Sequence, residues 1–374
     1  MNIRLFPGGR VHSAYLDLVK YPPQGFNYIG NFSYAVGTSV DFFGKNIAVS
    51  VADYLNLPYV FLLKSDCSIH SCQKLLKTNA NYVIDIEHGN PFVGANNIFK
   101  YNYLSFRWLT KKILMQDNCK MILPWTETAK NAFCLNFDFL GRDFLKNKLR
   151  VVYPATFSFD KNSDKFDIFT FIFVAGRSFY AKGGLQTLEA FKKLLEGGIK
   201  ANLIVVGATP EDERLKYAKT KGFMFYPHID RDELLNMLAK CHCLVLPSMG
   251  DTFGMIIIEA KARGIPAIVV DSFSAKEMVE DNITGYVIDP DPKIIPWFDE
   301  HGRKRINKTQ FHEQFGRYSP SGGHVMKLCN TMEKLIYSPN RTKIMGKNAK
   351  KETEDGKFSI KVRNKALKEI YEGL

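Results

Sequence analysis

Apolar and polar positions follow two recurring patterns along this chain. Short apolar runs end at glycine or proline, and longer stretches between them carry helical spacing. The runs predict buried strands and the longer stretches predict amphipathic helices. In the first half the predicted strands are Ile3–Phe6, Pro58–Leu63, Tyr82–Glu87, Met121–Trp125 and Leu149–Tyr153. Helices are expected over Ser39–Tyr54, over Asn97–Met115 and through Glu127 and Lys130. In the second half strands are expected at Phe169–Gly176, Ala201–Gly207, Phe223–Pro227, Leu244–Leu246, Ile265–Val270 and Tyr286–Ile288. The helices there are Leu185–Glu196, Arg231–Lys240, Met255–Arg263, Ser274–Glu280, Val325–Tyr337 and Ser359–Gly373. Strands alternating with helices imply an α/β protein with parallel pairing. Thr156–Lys165 is polar and patternless and reads as a linker. Residues 290–323 also lack pattern; a stretch that long is either a functional loop or a mobile insertion.

The stretch Leu244–Val270 reads as strand, loop, helix, turn, strand. Its helix is apolar almost all round, so it should be buried, and Glu259 is the odd member. A buried carboxylate is costly unless something pairs with it. Asp251 lies in the loop at the carboxyl end of the preceding strand, where ligands of open α/β sheets collect. Phe253-Gly254 stands between the two acids, and Gly254 admits a ligand to the free N–H groups of the helix start. Read blandly, Glu259 is a satisfied core residue and Asp251 a solvated one.

A second loop, Gly176–Gly184, holds Arg177, Lys182 and the glycines 176, 183 and 184 between a strand and a helix start. That is a phosphate site in outline. It lacks P-loop spacing. The turn Pro7-Gly8-Gly9 after the first strand admits a phosphate or sugar near the backbone, or merely turns the chain. His88 sits at a strand's carboxyl end beside Gly89, where a functional role and a satisfied loop residue are equally good readings.

Length and composition refine this picture. At 374 residues two domains are expected. Hydrophobic content of 45% excludes a disordered chain. A net charge of +13 suits an anionic partner, or a basic surface that aids solubility. Nucleic acid is not expected, since no readout motif accompanies the charge. Asn97–Met115 mixes aromatics with lysines; it either lies on an anionic membrane or packs with its lysines solvated. The first residues do not read as a signal peptide, and no window approaches the ~18 apolar residues of a span. Seven scattered cysteines point to a reducing, cytoplasmic setting. Neither Cys67/His70/Cys72 nor Cys241/His242/Cys243 has a second half at zinc spacing, and Asp289-Pro-Asp291 reads as a turn, so no metal is expected.

These residues resemble the retaining glycosyltransferases of family four, which have the GT-B fold. Gly176-Arg177 with Lys182-Gly183 looks like the family's G-R-x4-K-G, and Val205-Val206-Gly207 like the strand before its G-x-G turn. Leu246-Pro247-Ser248, Phe253-Gly254 and Glu259-Ala260 look like its P-S…E-x-F-G-x4-E-A. Glu277-Met278-Val279 and Thr284-Gly285 look like its E-x-V…G-x-T-G. The likeness is strong from Val174 to Ile288 and weak before it. Two departures stand out: Asp251 where the family has Glu, and Tyr153-Pro-Ala155 without the usual glycine.

The resemblance implies two facing doubly wound, Rossmann-like domains with an inter-domain cleft. Residues 1–155 plus 359–374 would bind the acceptor, and 156–358 a nucleotide-sugar. It implies that Arg177 and Lys182 hold the diphosphate, Glu259 the ribose, and Asp251 and His88 the sugar. Gly8, Gly9, Gly176, Gly207, Phe253 and Gly254 would line the donor, with Pro227 and Ile229 beside the base. No cofactor is implied beyond a UDP-, GDP- or ADP-sugar donor, and the acceptor would be a glycan, lipid or small molecule. Two rivals remain. A glycoside hydrolase using Asp251 and Glu259 leaves the Arg177/Lys182 loop unexplained. A catalytically inactive glycan- or membrane-binding protein of the same fold is kept open by Asp251.

Overall fold

The structure, a computed structural model, describes residues 1–7, 9–11, 13–30, 32–34, 52, 54–93, 99–158 and 164–374. Gly8, most of the expected helix Ser39–Tyr54, the first two residues of Asn97–Met115 and the middle of the Thr156–Lys165 linker lie outside the described residues. The chain divides into two compact units. Unit 1 is Met1–Ala155 with Phe298–Lys308 and Ile360–Leu374; unit 2 is Thr156–Trp297 with Thr309–Ser359. The terminal helix Ile360–Tyr371 is thus part of unit 1, and so is a piece of the patternless 290–323 stretch.

Among the described residues, the main sheet of unit 1 has strands β1 (Asn2–Phe6), β3 (Asn27–Ile29), β6 (Ile69–Cys72), β8 (Tyr82–Ile86) and β9 (Cys119–Pro124). They pair in parallel in the order β3-β1-β6-β8-β9. Two small parallel pairs accompany it: β2 (Gly9–Val11) with β4 (Phe32–Tyr34), and β5 (Val60–Leu63) with β7 (Leu75–Thr78). Counting only the sheet's own strands, the order is 2-1-3-4-5, which reverses between β1 and β6. The core gathers Ile69, Tyr82, Ile84, Phe106, Phe133 and Phe137, which are all fully buried.

Leu149–Tyr153 is not a strand. It runs beside β9 with a single bridge, at Ile122 and Leu149. Arg150 N–H donates to Ile122 O and Val152 N–H to Pro124 O. Pro124 has no N–H to return a bond, so the ladder cannot close. The helix within Asn97–Met115 is Leu104–Leu114. Lys100, counted with its basic face, is instead buried and donates to the Ala52 and Leu57 carbonyls.

Unit 2 carries β10 (Thr170–Gly176), β11 (Asn202–Gly207), β12 (Phe223–Tyr226), β13 (Cys243–Leu246), β14 (Ala267–Val270) and β15 (Gly285–Ile288). All pairs are parallel, in the order β12-β11-β10-β13-β14-β15. Within the unit this is 3-2-1-4-5-6, the Rossmann order, with its reversal between β10 and β13. The strand β10 reads Thr-Phe-Ile-Phe-Val-Ala-Gly because helices cover both faces of a central parallel strand. The 290–323 stretch holds a helix, Lys308–Glu313, that weak periodicity concealed. A further helix, Pro339–Glu354, docks where Gly346 meets the Gly264 carbonyl and where the buried Lys261 pairs with Glu352.

Candidate active site

A doubly wound sheet opens a crevice beyond the carboxyl ends of the two strands flanking its reversal. In unit 2 those strands are β10 and β13. The loop after β10 carries Gly176, Arg177, Lys182 and Gly183; the loop after β13 carries Pro247, Ser248, Asp251 and Gly254. The two loops are tied together. Met249 N–H donates to Ala181 O at 3.0 Å, and Ser248 Oγ to the same carbonyl at 3.4 Å. Gly183 starts the helix Gly184–Glu196 with φ of 83°, and a Cβ there would stand 2.5 Å from Pro247. No other residue tolerates both the left-handed backbone and that approach. Gly207, ending β11 with φ of 111°, meets the Gly176 backbone as closely: a Cβ would lie 2.7 Å from its N and O.

The central feature of the crevice is an ion pair. Lys182 Nζ reaches Asp251 Oδ1 at 2.6 Å and Oδ2 at 2.8 Å. Both side chains are 24% exposed, so a solute can reach them. The cation expected for a diphosphate and the acid expected for a sugar are therefore joined in one pair. Beside them, Leu246, Ser248, Asp251, Phe253, Ser272 and Ser274 line a pocket. Arg177 is exposed on the turn that follows β10.

Glu259, 5% exposed, stands in the helix Met255–Lys261 and pairs with Arg231 at 2.5 Å. Arg231 opens the helix Arg231–Lys240, two residues past Ile229, so the pair borders the loop of Pro227 and Ile229. This meets the requirement that a buried carboxylate be paired. The sequence reading missed Arg231; its position at the first turn after the β12 loop was the available signal. The ring of Phe253 is 2% exposed and packs edge-on against Phe358, 6.2 Å away. The ring is thus held in the packing at the pocket's wall. The helix after Gly254 spans seven residues, shorter than expected, which limits its dipole and leaves its free N–H groups as the contribution.

In unit 1, His88 follows β8. Its Nδ1 accepts from the Asn90 N–H at 3.1 Å, so the neutral ring carries its proton on Nε2. Phe298 crowds the ring at 6.4 Å. Burial first, then the charge of Lys304, hold this imidazole well below the usual range. Lys304 comes from the 298–308 segment; burial lowers its amine to about 8, with Glu87 opposing. His88 is thus set up as a neutral hydrogen-bond donor. Gly9 begins β2 in the same unit. Among the described residues no three His, Cys, Asp or Glu side chains stand close enough to hold a metal ion. His70 and His242 are engaged elsewhere, with Tyr371 and with the Thr170 N–H.

Comparison with known proteins bears on this crevice. Residues 157–296 match the family model described as glycosyl transferases group 1. That span contains both crevice loops and both ion pairs. An uncharacterized glycosyltransferase of Methanocaldococcus jannaschii is 26% identical over 132 residues, 34% of each chain. A serotype-specific mannosyltransferase of Escherichia coli is 30% identical over 108 residues, 27% of this chain and 13% of the relative. The chain spans under half the length of the curated relatives it matches. An Anabaena protein crystallised with UDP superposes over the full length of both chains, with a TM-score of 0.62 at 13% identity. That likeness shows the fold: two Rossmann-like α/β domains of the GT-B class.

Proposed function

We propose that this chain is a retaining, metal-independent glycosyltransferase. It moves a sugar from a nucleoside diphosphate to an acceptor hydroxyl. The observation that carries this reading is the Lys182–Asp251 pair at the β10/β13 reversal, inside the segment that matches the group 1 glycosyltransferases. A hydrolase needs two carboxylates flanking a bond and has no use for a cationic loop after β10.

In the proposed reaction the bond from the anomeric carbon to the diphosphate oxygen breaks. The acceptor oxygen bonds the same carbon on the same face, and its proton passes to the departing diphosphate oxygen. Negative charge grows on the leaving diphosphate as the sugar becomes oxocarbenium-like. Fixed cations stabilise that charge without rearranging. Arg177 and Lys182 take this role, Lys182 shifting part of its bonding from Asp251 to phosphate. Asp251 then accepts from sugar hydroxyls, and Glu259, steadied by Arg231, accepts from the ribose. No residue is assigned as a nucleophile.

The Anabaena protein was crystallised with UDP and with UDP-glucose, and a relative is named for mannosyl transfer. The donor screen therefore includes UDP, GDP and ADP and their sugars. One nucleoside diphosphate should raise the melting temperature, and its sugar should release diphosphate when acceptor is present. Glu259→Ala should abolish that release. Absence of turnover in both forms, with glycan binding intact, favours the inactive binding protein instead.

A membrane acceptor fits one surface of unit 1. Leu104 is 83% and Trp108 62% exposed on the helix Leu104–Leu114, beside the exposed Lys111 and Lys112. Apolar rings flanked by lysines suit peripheral contact with anionic lipid. Among the described residues no helix is long and apolar enough to cross a membrane. Trp108→Glu should weaken sedimentation with phosphatidylglycerol vesicles severalfold while leaving the response to nucleoside diphosphate unchanged; equal sedimentation of both forms refutes this contact.

A further inference from the structure

Unit 1 contains a cavity of about 30 Å³ that has no part in the reading above. It lies on the sheet face covered by the helices Ser13–Lys20 and Ile360–Tyr371, with Ala14, His70, Asp85, Trp125 and Arg363 in its wall. Its polar groups are deeply buried: His70 is 3% and Arg363 and Asp85 4% exposed.

Asp85 is well supplied with donors. Its Oδ1 accepts from Tyr15 Oη at 2.9 Å and from the Gln73 N–H at 3.0 Å. Its Oδ2 accepts from Trp125 Nε1 at 3.1 Å. His70 shares its Nδ1 with Tyr371 Oη at 2.5 Å, while its Nε2 stands 3.6 Å from Asp85 Oδ2, too far for a hydrogen bond. Arg363 donates through Nη2 to the Asp17 and Tyr21 carbonyls and through Nε to Asn364. Two buried atoms in this wall are left without a hydrogen-bond partner: His70 Nε2 and Arg363 Nη1.

Arg363 Nη1 is a donor in every state, and His70 Nε2 is one in the tautomer in which Tyr371 Oη donates to Nδ1, so the cavity is short of acceptors. An unmatched buried donor is destabilising, more so on a charged group. A guanidinium binds carboxylate better than it binds a neutral oxygen. The available volume holds about two waters, the bulk of one carboxylate. Asp85 does not bar an anion outright, because three donors already spread its charge. The cavity's place bears on the source of the ligand. Gln73, which binds Asp85 through its N–H, binds Glu87 through Nε2, and Glu87 adjoins His88. Gln73 has a φ of 60°, a strained backbone at the end of β6, where the sheet order reverses.

We propose that this cavity anchors a carboxylate carried by an acidic sugar of the acceptor. The assignment of unit 1 to the acceptor rests on the transferase reading; the donor pair and the cavity do not.

The test is calorimetric titration of the full chain with sodium D-glucuronate, D-glucose and sodium acetate. Glucuronate should bind, and glucose and acetate should each bind at least about tenfold more weakly. Arg363→Gln should lose the glucuronate response. Arg363 also holds two carbonyls, so Ala14→Leu, which fills the cavity without removing a polar group, is the second variant and should lose it too. Both variants should keep the thermal response to nucleoside diphosphate, which reports on unit 2. Equal binding of glucose and glucuronate, or an unaffected Ala14→Leu protein, overturns the carboxylate site. So does a crystal structure with glucuronate that shows only two ordered waters there. Acetate binding as tightly as glucuronate overturns the acceptor as its source. A chain that binds glucuronate but no nucleoside diphosphate defeats the transferase reading and leaves the carboxylate site standing.

Discussion

Replacing Lys182 by methionine separates the structural from the chemical work of the crevice pair. At 2.6 and 2.8 Å, Lys182 and Asp251 are in full contact. Such a pair is worth about 6 kcal/mol in gross Coulomb energy at an effective dielectric near 20. Desolvation and the 24% exposure of each side chain remove most of that, leaving roughly 1 kcal/mol net. The variant should therefore stay folded, melting about 2–4 °C lower. Its chemistry should suffer more. A charge-assisted bond to the diphosphate contributes about 1.5–3 kcal/mol, so kcat/KM should fall about 10- to 150-fold. Asp251→Asn acts in the opposite sense on binding. It frees Lys182 for phosphate, so nucleoside diphosphate should bind equally or a few times tighter, while sugar transfer falls. Calorimetry with nucleoside diphosphate and a coupled release assay measure both quantities in both variants. Two results refute the reasoning: Lys182→Met keeping kcat/KM within about threefold, or Asp251→Asn weakening diphosphate binding as much as Lys182→Met does.

Three further outcomes follow from the geometry. Gly183→Ala combines a φ of 83° with a Cβ 2.5 Å from Pro247, whereas Gly176→Ala has a φ of 55° and open space. The first should cost about 2–4 kcal/mol and the second about 1 kcal/mol in chemical denaturation; equal costs contradict the close approach. Arg231→Met removes the cation paired with the buried Glu259, at about 3 kcal/mol, and adding Glu259→Gln should recover most of it; purely additive losses argue against the pair. Lys304 binds its proton more weakly folded, at about 8, than unfolded, near 10.5. Between those values the unfolded chain holds more protons, so stability rises with pH there and the penalty is complete below about 8. Lys165 of unit 2, also lowered to about 8, adds to the same window. Lys304→Met should be more stable at pH 7 by up to about 3 kcal/mol and should flatten the rise between pH 8 and 10.5; an unchanged slope in denaturation series defeats this assignment.

Periodicity made unit 2 legible almost throughout. Its central strands are buried on both faces, so each is a continuous apolar run closed by a turn residue, as in Thr170–Gly176. Unit 1 was harder to read. Its strand Ile69–Cys72 buries His70 and Ser71; Ser71 turns to the nearby Lys74 carbonyl, but His70 finds its partner at Tyr371, and no local pattern announces a polar residue that so distant a group satisfies. Leu149–Tyr153 has the apolar run of a strand, yet Pro124 on its neighbour cannot complete the ladder.

Local chemistry alone therefore specified the α/β class, the two loops at strand carboxyl ends, and the residue types that suit a diphosphate. Those follow from spacing, which a chain carries wherever it folds. The pairings came only with the fold. Lys182 meets Asp251 across 69 positions of sequence, Glu259 meets Arg231, and the charge of Lys304 depresses His88 from a segment more than two hundred residues away. Which charges neutralise one another, and which buried donors are left unmatched at Arg363 and His70, depends on strand order and helix docking, and neither is written in any short stretch of residues.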